Sequence, residues 1–138
     1  MDRRHLYTGL ITAGVTALAL GWWLSGHTAF EPSLAGEVRI AGEIYEVRRW
    51  SGVIAPGEPE KARACFRVDR DIVAPPELEP RPTPGPDWLR CFNTEFILES
   101  LARGEAEVYV AERDDPPGWS RVIAVLPGRR VYMWHQPR

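Results

Sequence analysis

The feature that most constrains this chain is an uncharged apolar run near its start, Leu6 to Leu24, LYTGLITAGVTALALGWWL. At the helical rise of about 1.5 Å per residue it measures roughly 29 Å, close to the hydrocarbon thickness of a bilayer. The run predicts a transmembrane helix. It divides the chain into a cytoplasmic N-terminus over 1–5, a span over 6–24, a linker over 25–36 and a folded domain over 37–138. Arg3 and Arg4 precede the span, whereas Glu31 and Glu37 come before the next cation, Arg39. That asymmetry orients the N-terminus toward the cytoplasm and the domain toward the periplasm. The expected location is the bacterial inner membrane, cytoplasmic or intracytoplasmic, crossed once. Tyr7 at one end and Trp22-Trp23 at the other suit aromatic anchors at the lipid interface. Ala17-Leu18-Ala19 resembles a signal-peptidase site, but the apolar run continues past it, so an uncleaved anchor is preferred.

Within the run, Gly9, Ala13, Ala17 and Gly21 recur every four residues, and Thr8, Thr12 and Thr16 form an adjacent row. Small residues at that spacing let a second helix approach closely. Gly9, Thr12, Ala13, Thr16, Ala17 and Gly21 are therefore expected as a helix-packing interface. The partners this implies are an integral membrane protein complex and the lipid bilayer. The plainer alternative is a lone anchor in which small residues are merely common.

Beyond the span, periodicity of two marks Glu37 to Ile40 and Ile44 to Val47 as strands turned by Ala41-Gly42. Ser51 to Pro59 reads as a loop and Ala62 to Val68 as a third strand. Pro75 to Pro86, PPELEPRPTPGP, is half proline and reads as an extended surface loop unable to hold ladder hydrogen bonds. A helix is expected over Thr94 to Arg103, capped by Asn93 or Thr94 and stopped at Gly104. Ala106–Glu112, Ser120–Leu126 and Val131–Gln136 then read as an antiparallel meander. The fold class predicted is α+β: one N-terminal transmembrane helix followed by a small antiparallel-sheet domain with one packed helix.

Cys65 and Cys91 are the only cysteines, and no C-x-x-C spacing is present. Outside the cytoplasm an even pair favours one structural bridge. It would close a loop of about 25 residues, contributing about 3 kcal/mol by the loop-entropy model. The rival is a thiol pair that passes copper.

No sequence motif marks a reaction centre. His5, His27 and His135 are far apart, and the expected topology places His5 across the bilayer from the others, which excludes a three-histidine zinc site. His135 is expected as a hydrogen-bonded edge residue. Trp88, Trp119 and Trp134 read as core or rim packing, with a docking surface as the alternative. The carboxylates, among them Glu77, Glu79, Asp114 and Asp115, stand in exposed contexts. Catalytic residues, cofactors and metal are all expected to be absent. The net charge is −2 and no basic run appears, so nucleic acid is not an expected partner. Lys61 is the only lysine. That arginine bias reads first as coding bias, and second as a surface suited to bidentate carboxylate or phosphate contacts.

Arg63-Ala64-Cys65-Phe66, Trp88-Leu89-Arg90-Cys91-Phe92, Leu101 to Ala106, Arg121 to Val125 and Val131 to Gln136 together resemble a family of small alphaproteobacterial membrane proteins classed as a domain of unknown function. The aromatic exit Phe30-Glu31-Pro32 is similar too. The Pro75 to Pro86 insert departs from that family, as does the ending soon after Gln136, where relatives often continue with more cysteines. The resemblance implies location and fold and carries no activity. A histidine-kinase label borne by some members finds no supporting motif here. The function expected is a non-catalytic accessory subunit of a larger inner-membrane complex, respiratory or photosynthetic, whose periplasmic domain docks on or stabilises it. The alternative is a membrane-tethered assembly or metal-delivery factor.

Overall fold

The computed structural model describes residues 29–138. Seven antiparallel strands dominate: β1 (Glu31–Ser33), β2 (Glu37–Ile40), β3 (Glu43–Ile54), β4 (Arg63–Val68), β5 (Glu107–Glu112), β6 (Trp119–Leu126) and β7 (Arg130–Pro137). A single 3-10 turn, Pro59–Lys61, and one α-helix, α1 (Thr94–Ala102), complete the regular elements among the described residues. The sheet order is β1-β3-β4-β7-β6-β5, with β2 pairing the first half of β3.

This corrects the predicted fold class. The described domain is mostly an antiparallel sheet. Among the described residues no helix is long and apolar enough to cross a membrane. The nine residues of α1 span only about 13.5 Å, and Glu95 and Glu99 lie on it. The run expected as a transmembrane helix, with its packing row from Gly9 to Gly21 and its anchors Tyr7, Trp22 and Trp23, lies outside the described residues. The structure lends that helix no support.

Both faces of the sheet are buried. On one, Cys65, Val108, Val122, Ala124, Leu126 and Trp134 pack under Leu89, Phe92 and Ile97 of the α1 region. On the other, Ala64, Phe66, Ile123, Val131 and Met133 pack under Val38, Ile40 and Tyr45 of the β2–β3 hairpin. The hairpin turn needs positive φ at both central residues, which Ala41 (49°) and Gly42 (83°) supply. The hairpin reaches across the sheet to the far strand, where Ala41 N donates to Ala111 O at 2.8 Å. Ala111 is available because one extra residue enters β5 between Val110 and Glu112, a bulge that turns it inward.

Three differences from the sequence reading have clear causes. First, β3 runs through Ser51-Gly52 to Ile54, where a loop was expected. The bulge between Arg48 and Ser51 shifts the alternation by one residue, so the pattern ceases to look like a strand although pairing continues. Gly52 lies so close beneath the Trp50 indole that a Cβ would stand 2.7 Å from its Nε1. Second, three residues of the expected linker form β1, held by Trp50 Nε1 donating to Ser33 O at 2.9 Å. Third, the proline-rich stretch does take ladder bonds. Val110 N donates to Pro75 O at 2.7 Å and Glu77 N to Val108 O at 2.9 Å. Proline lacks a donor but keeps its carbonyl, so Pro75 serves as an acceptor.

The same stretch is fastened across the sheet by buried polar groups. Gln136 Oε1 accepts from Arg81 N at 2.8 Å and from Trp134 Nε1 at 3.0 Å, while Gln136 Nε2 donates to Glu79 O at 3.0 Å. Thr83 Oγ1 donates to His135 O at 3.1 Å. Arg63, only 5 % exposed, donates through Nε to Thr83 O at 2.9 Å, and through Nη1 to Glu60 O and Ala62 O at 2.9 and 2.7 Å. Removing its guanidinium strands several half-buried carbonyls. Arg63→Met is therefore expected to lower unfolding stability by about 2–4 kcal/mol. It should also expose the 75–86 segment to protease first. Denaturant titration and limited proteolysis measure both, and wild-type values in both would refute the clamp.

Candidate functional site

Among the described residues, the positions singled out in the sequence have definite places. Cys65 and Cys91 form a disulfide with a Cα–Cα separation of 6.3 Å, linking β4 to the turn before α1. No free cysteine remains among the described residues. Trp134 is wholly buried in the core, while Trp88 is 52 % exposed. His135 lies on β7 beyond Met133, where the register with β4 ends, and Thr83 Oγ1 donates to its carbonyl. It is buried, with Nδ1 3.3 Å from Ala62 O. Its cross-strand neighbour is Arg121, whose guanidinium reaches Glu112 Oε2 at 3.0 Å, Asp115 Oδ2 at 3.5 Å and Arg39 O at 2.8 Å. Among the described residues no group of three histidine, cysteine or carboxylate side chains could hold a metal ion.

The fold gathers something that no stretch of the sequence displays. Arg48 of β3 is the Cα partner of Arg67 of β4, and Arg67 is the partner of Arg130 of β7. Directly paired residues share a face, with Cβ atoms about 4.5–5.5 Å apart. Three arginines thus stand in a row across three adjacent strands, spanning roughly 10 Å. Two more flank them. Arg49 sits in the β3 bulge and Arg129 in the β6–β7 turn. Both hold left-handed backbone, at φ 55° and 57°. That conformation costs a non-glycine residue roughly 1–2 kcal/mol.

These side chains line two adjoining grooves. One, of about 370 Å³, is bounded by Arg48, Arg49, Arg67 and Arg129 with Val68 and Asp69. The other, of about 210 Å³, runs from Arg49, Arg67 and Arg130 past Tyr132 to the Cys65–Cys91 bridge. Phe96 of α1 meets Tyr132 edge-on at 6.0 Å, which builds an aromatic wall beside the second groove. Arg129 is held by Asp71 Oδ1 at 3.0 Å and Asp69 O at 2.9 Å, and Arg130 Nε donates to Pro127 O at 3.2 Å. Among the described residues, Arg48, Arg49 and Arg67 make no side-chain hydrogen bond or ion pair. Like charges placed directly opposite on a ladder destabilise it. The row therefore costs the fold something. Its chemistry is that of a receptor for anions, since guanidinium forks match carboxylate and phosphate oxygens bidentately.

No stretch of the sequence shows a basic patch, because the five arginines come from three separate stretches. The usable signal was the pair of doublets, Arg48-Arg49 and Arg129-Arg130, with Arg67 between them. Strand register alone joins them.

Comparison with known proteins finds one family model, Family of unknown function (DUF6446), which matches residues 35–138. No curated protein and no solved structure matches the chain.

Burial holds the His135 imidazole below its ordinary pKa of about 6.5, with Arg63 and Arg121 nearby acting the same way, while its contact to Ala62 O and Asp115 oppose them. As pH falls below about 6.5 the unfolded chain takes up a proton that the folded His135 still refuses, so stability drops in that window. Melting temperature should accordingly fall between about pH 7.5 and about pH 5.5, and His135→Gln should flatten that slope. An unchanged slope in the variant would remove His135 as the cause.

Proposed function

The chain belongs to DUF6446, a family of unknown function matched over residues 35–138, and we propose that its domain is a non-catalytic recognition module. It takes an anionic group of a larger assembly into the arginine grooves, and the protein serves that assembly as an accessory subunit. The observation that carries this reading is the Arg48–Arg67–Arg130 row. Three like charges in register are a burden to a sheet unless an anion offsets them. Exposed arginine beside Tyr132 and Phe96 also has the composition of a docking surface, in which arginine and aromatic residues are enriched. The Cys65–Cys91 bridge supports placing the domain in an oxidising compartment outside the cytoplasm.

In-cell crosslinking of the full chain in its native host tests the docking role. Wild type and a control, Arg103→Glu at the exposed end of α1, should give the same crosslinked species larger than the chain. Arg67→Glu should reduce its yield about tenfold or more, since it replaces an attraction with a repulsion. The variant's melting temperature serves to show that the fold persists. Equal yield from all three proteins would overturn the reading.

A further inference from the structure

The grooves differ from a site built for a single carboxylate in how much positive charge they concentrate. Arg129 is matched by Asp71, but Arg48, Arg49, Arg67 and Arg130 have no carboxylate partner among the described residues. Arg49 and Arg67 line both grooves, which adjoin there. A lone carboxylate offsets one of these charges. An extended acidic peptide presents same-face side chains roughly 6.5–7 Å apart, which places two carboxylates along the row. Two adjacent phosphates bring about three charges into a space of roughly 5 Å, with several acceptor oxygens for forked donors. The groove of about 370 Å³ falls within the usual range for small-ligand sites. Its walls are arginine, Asp69, Val68 and the Gly128 turn, more polar than apolar.

The backbone adds an independent argument. Arg49 and Arg129 occupy left-handed positions where glycine would be relaxed. Non-glycine residues held in such conformations concentrate at ligand sites, where the side chain is needed in that place. The bulge at Arg49 is a device that re-aims one side chain out of the ladder's alternation, here toward the space between the two grooves.

We propose that the larger groove binds a diphosphate, two adjacent phosphate groups held between Arg48, Arg49 and Arg67, with Arg130 beyond its rim in the adjoining groove. This deepens, and rests on, the anion-recognition reading given above.

Isothermal titration calorimetry of the full chain decides it, with pyrophosphate, inorganic phosphate, citrate and ADP as probes. Pyrophosphate should bind at least about tenfold more tightly than phosphate or citrate, and more weakly as salt rises. Arg67→Gln should weaken it about tenfold or more, whereas Arg103→Gln should leave it unchanged. Arg49→Gly should weaken binding while keeping or raising the melting temperature, because glycine relaxes that backbone. ADP binding at least as tightly as pyrophosphate assigns the esterified form, and weaker ADP binding assigns the free form. Citrate binding as tightly as pyrophosphate, and lost in Arg67→Gln, would overturn the diphosphate while leaving anion recognition standing. No binding of any probe, or pyrophosphate binding indifferent to Arg67→Gln, would overturn both.

Discussion

The rest of the fold depends on a buried cation that makes no ion pair among the described residues. Arg63 sits where β4 begins, under the proline-rich segment, and donates to the carbonyls of Thr83, Glu60 and Ala62 and to the Thr83 hydroxyl, with the Glu60 charge nearby. Burial lowers its pKa to about 10, so it stays charged at neutral pH despite its surroundings. A buried charge is tolerable only when its donors are satisfied, and here Thr83, Glu60 and Ala62 satisfy them. The consequence is mutual: the segment is fixed because the cation requires it, and the cation is tolerated because the segment is there. Gly85 permits the close approach, since a Cβ there would stand 3.2 Å from Arg63 Cγ. Trp134 and Gln136 extend the arrangement, and no buried side-chain polar atom among the described residues is left without a partner. Networks of this kind specify one arrangement, because a half-made version is worse than none.

The arginine row presents the opposite case. There the charges are exposed, mutually repulsive and only partly paired. One end of the sheet thus satisfies every buried donor, while the other carries like charges in direct register and two strained backbone positions. Local conflict of this sort, inside a sheet otherwise consistent from turn chemistry to core packing, marks the place where selection worked for something other than stability. The disulfide lies at the boundary between the two regimes, with Cys65 in the core and Cys91 at the groove.

Most of the strands were legible in the sequence. The meander after Gly104 and the helix capped by Asn93 were plain, because alternation, capping and glycine stops agreed there. The first hairpin was legible through Ala41-Gly42 for the same reason. What escaped was whatever depends on partners distant in the chain. The continuation of β3 was hidden by a single inserted residue, and β1 by its three-residue length. The candidate site was hidden most completely. Arginines at 48, 67 and 130 become neighbours only through register, which is a property of the sheet and not of any stretch. The long apolar run that dominated the sequence reading bears on none of this, since it lies outside the described residues.

The ladder bonds taken by Pro75 and Glu77 have one more consequence. β5 is the last strand of its sheet, and an open edge of that kind is a template for a second chain. Pro76 pairs with Tyr109 at that outermost position, and beyond it a proline offers the next strand no N–H to bind. The sheet therefore ends there by chemistry. The stretch whose composition promised no ladder bonds is what covers that edge.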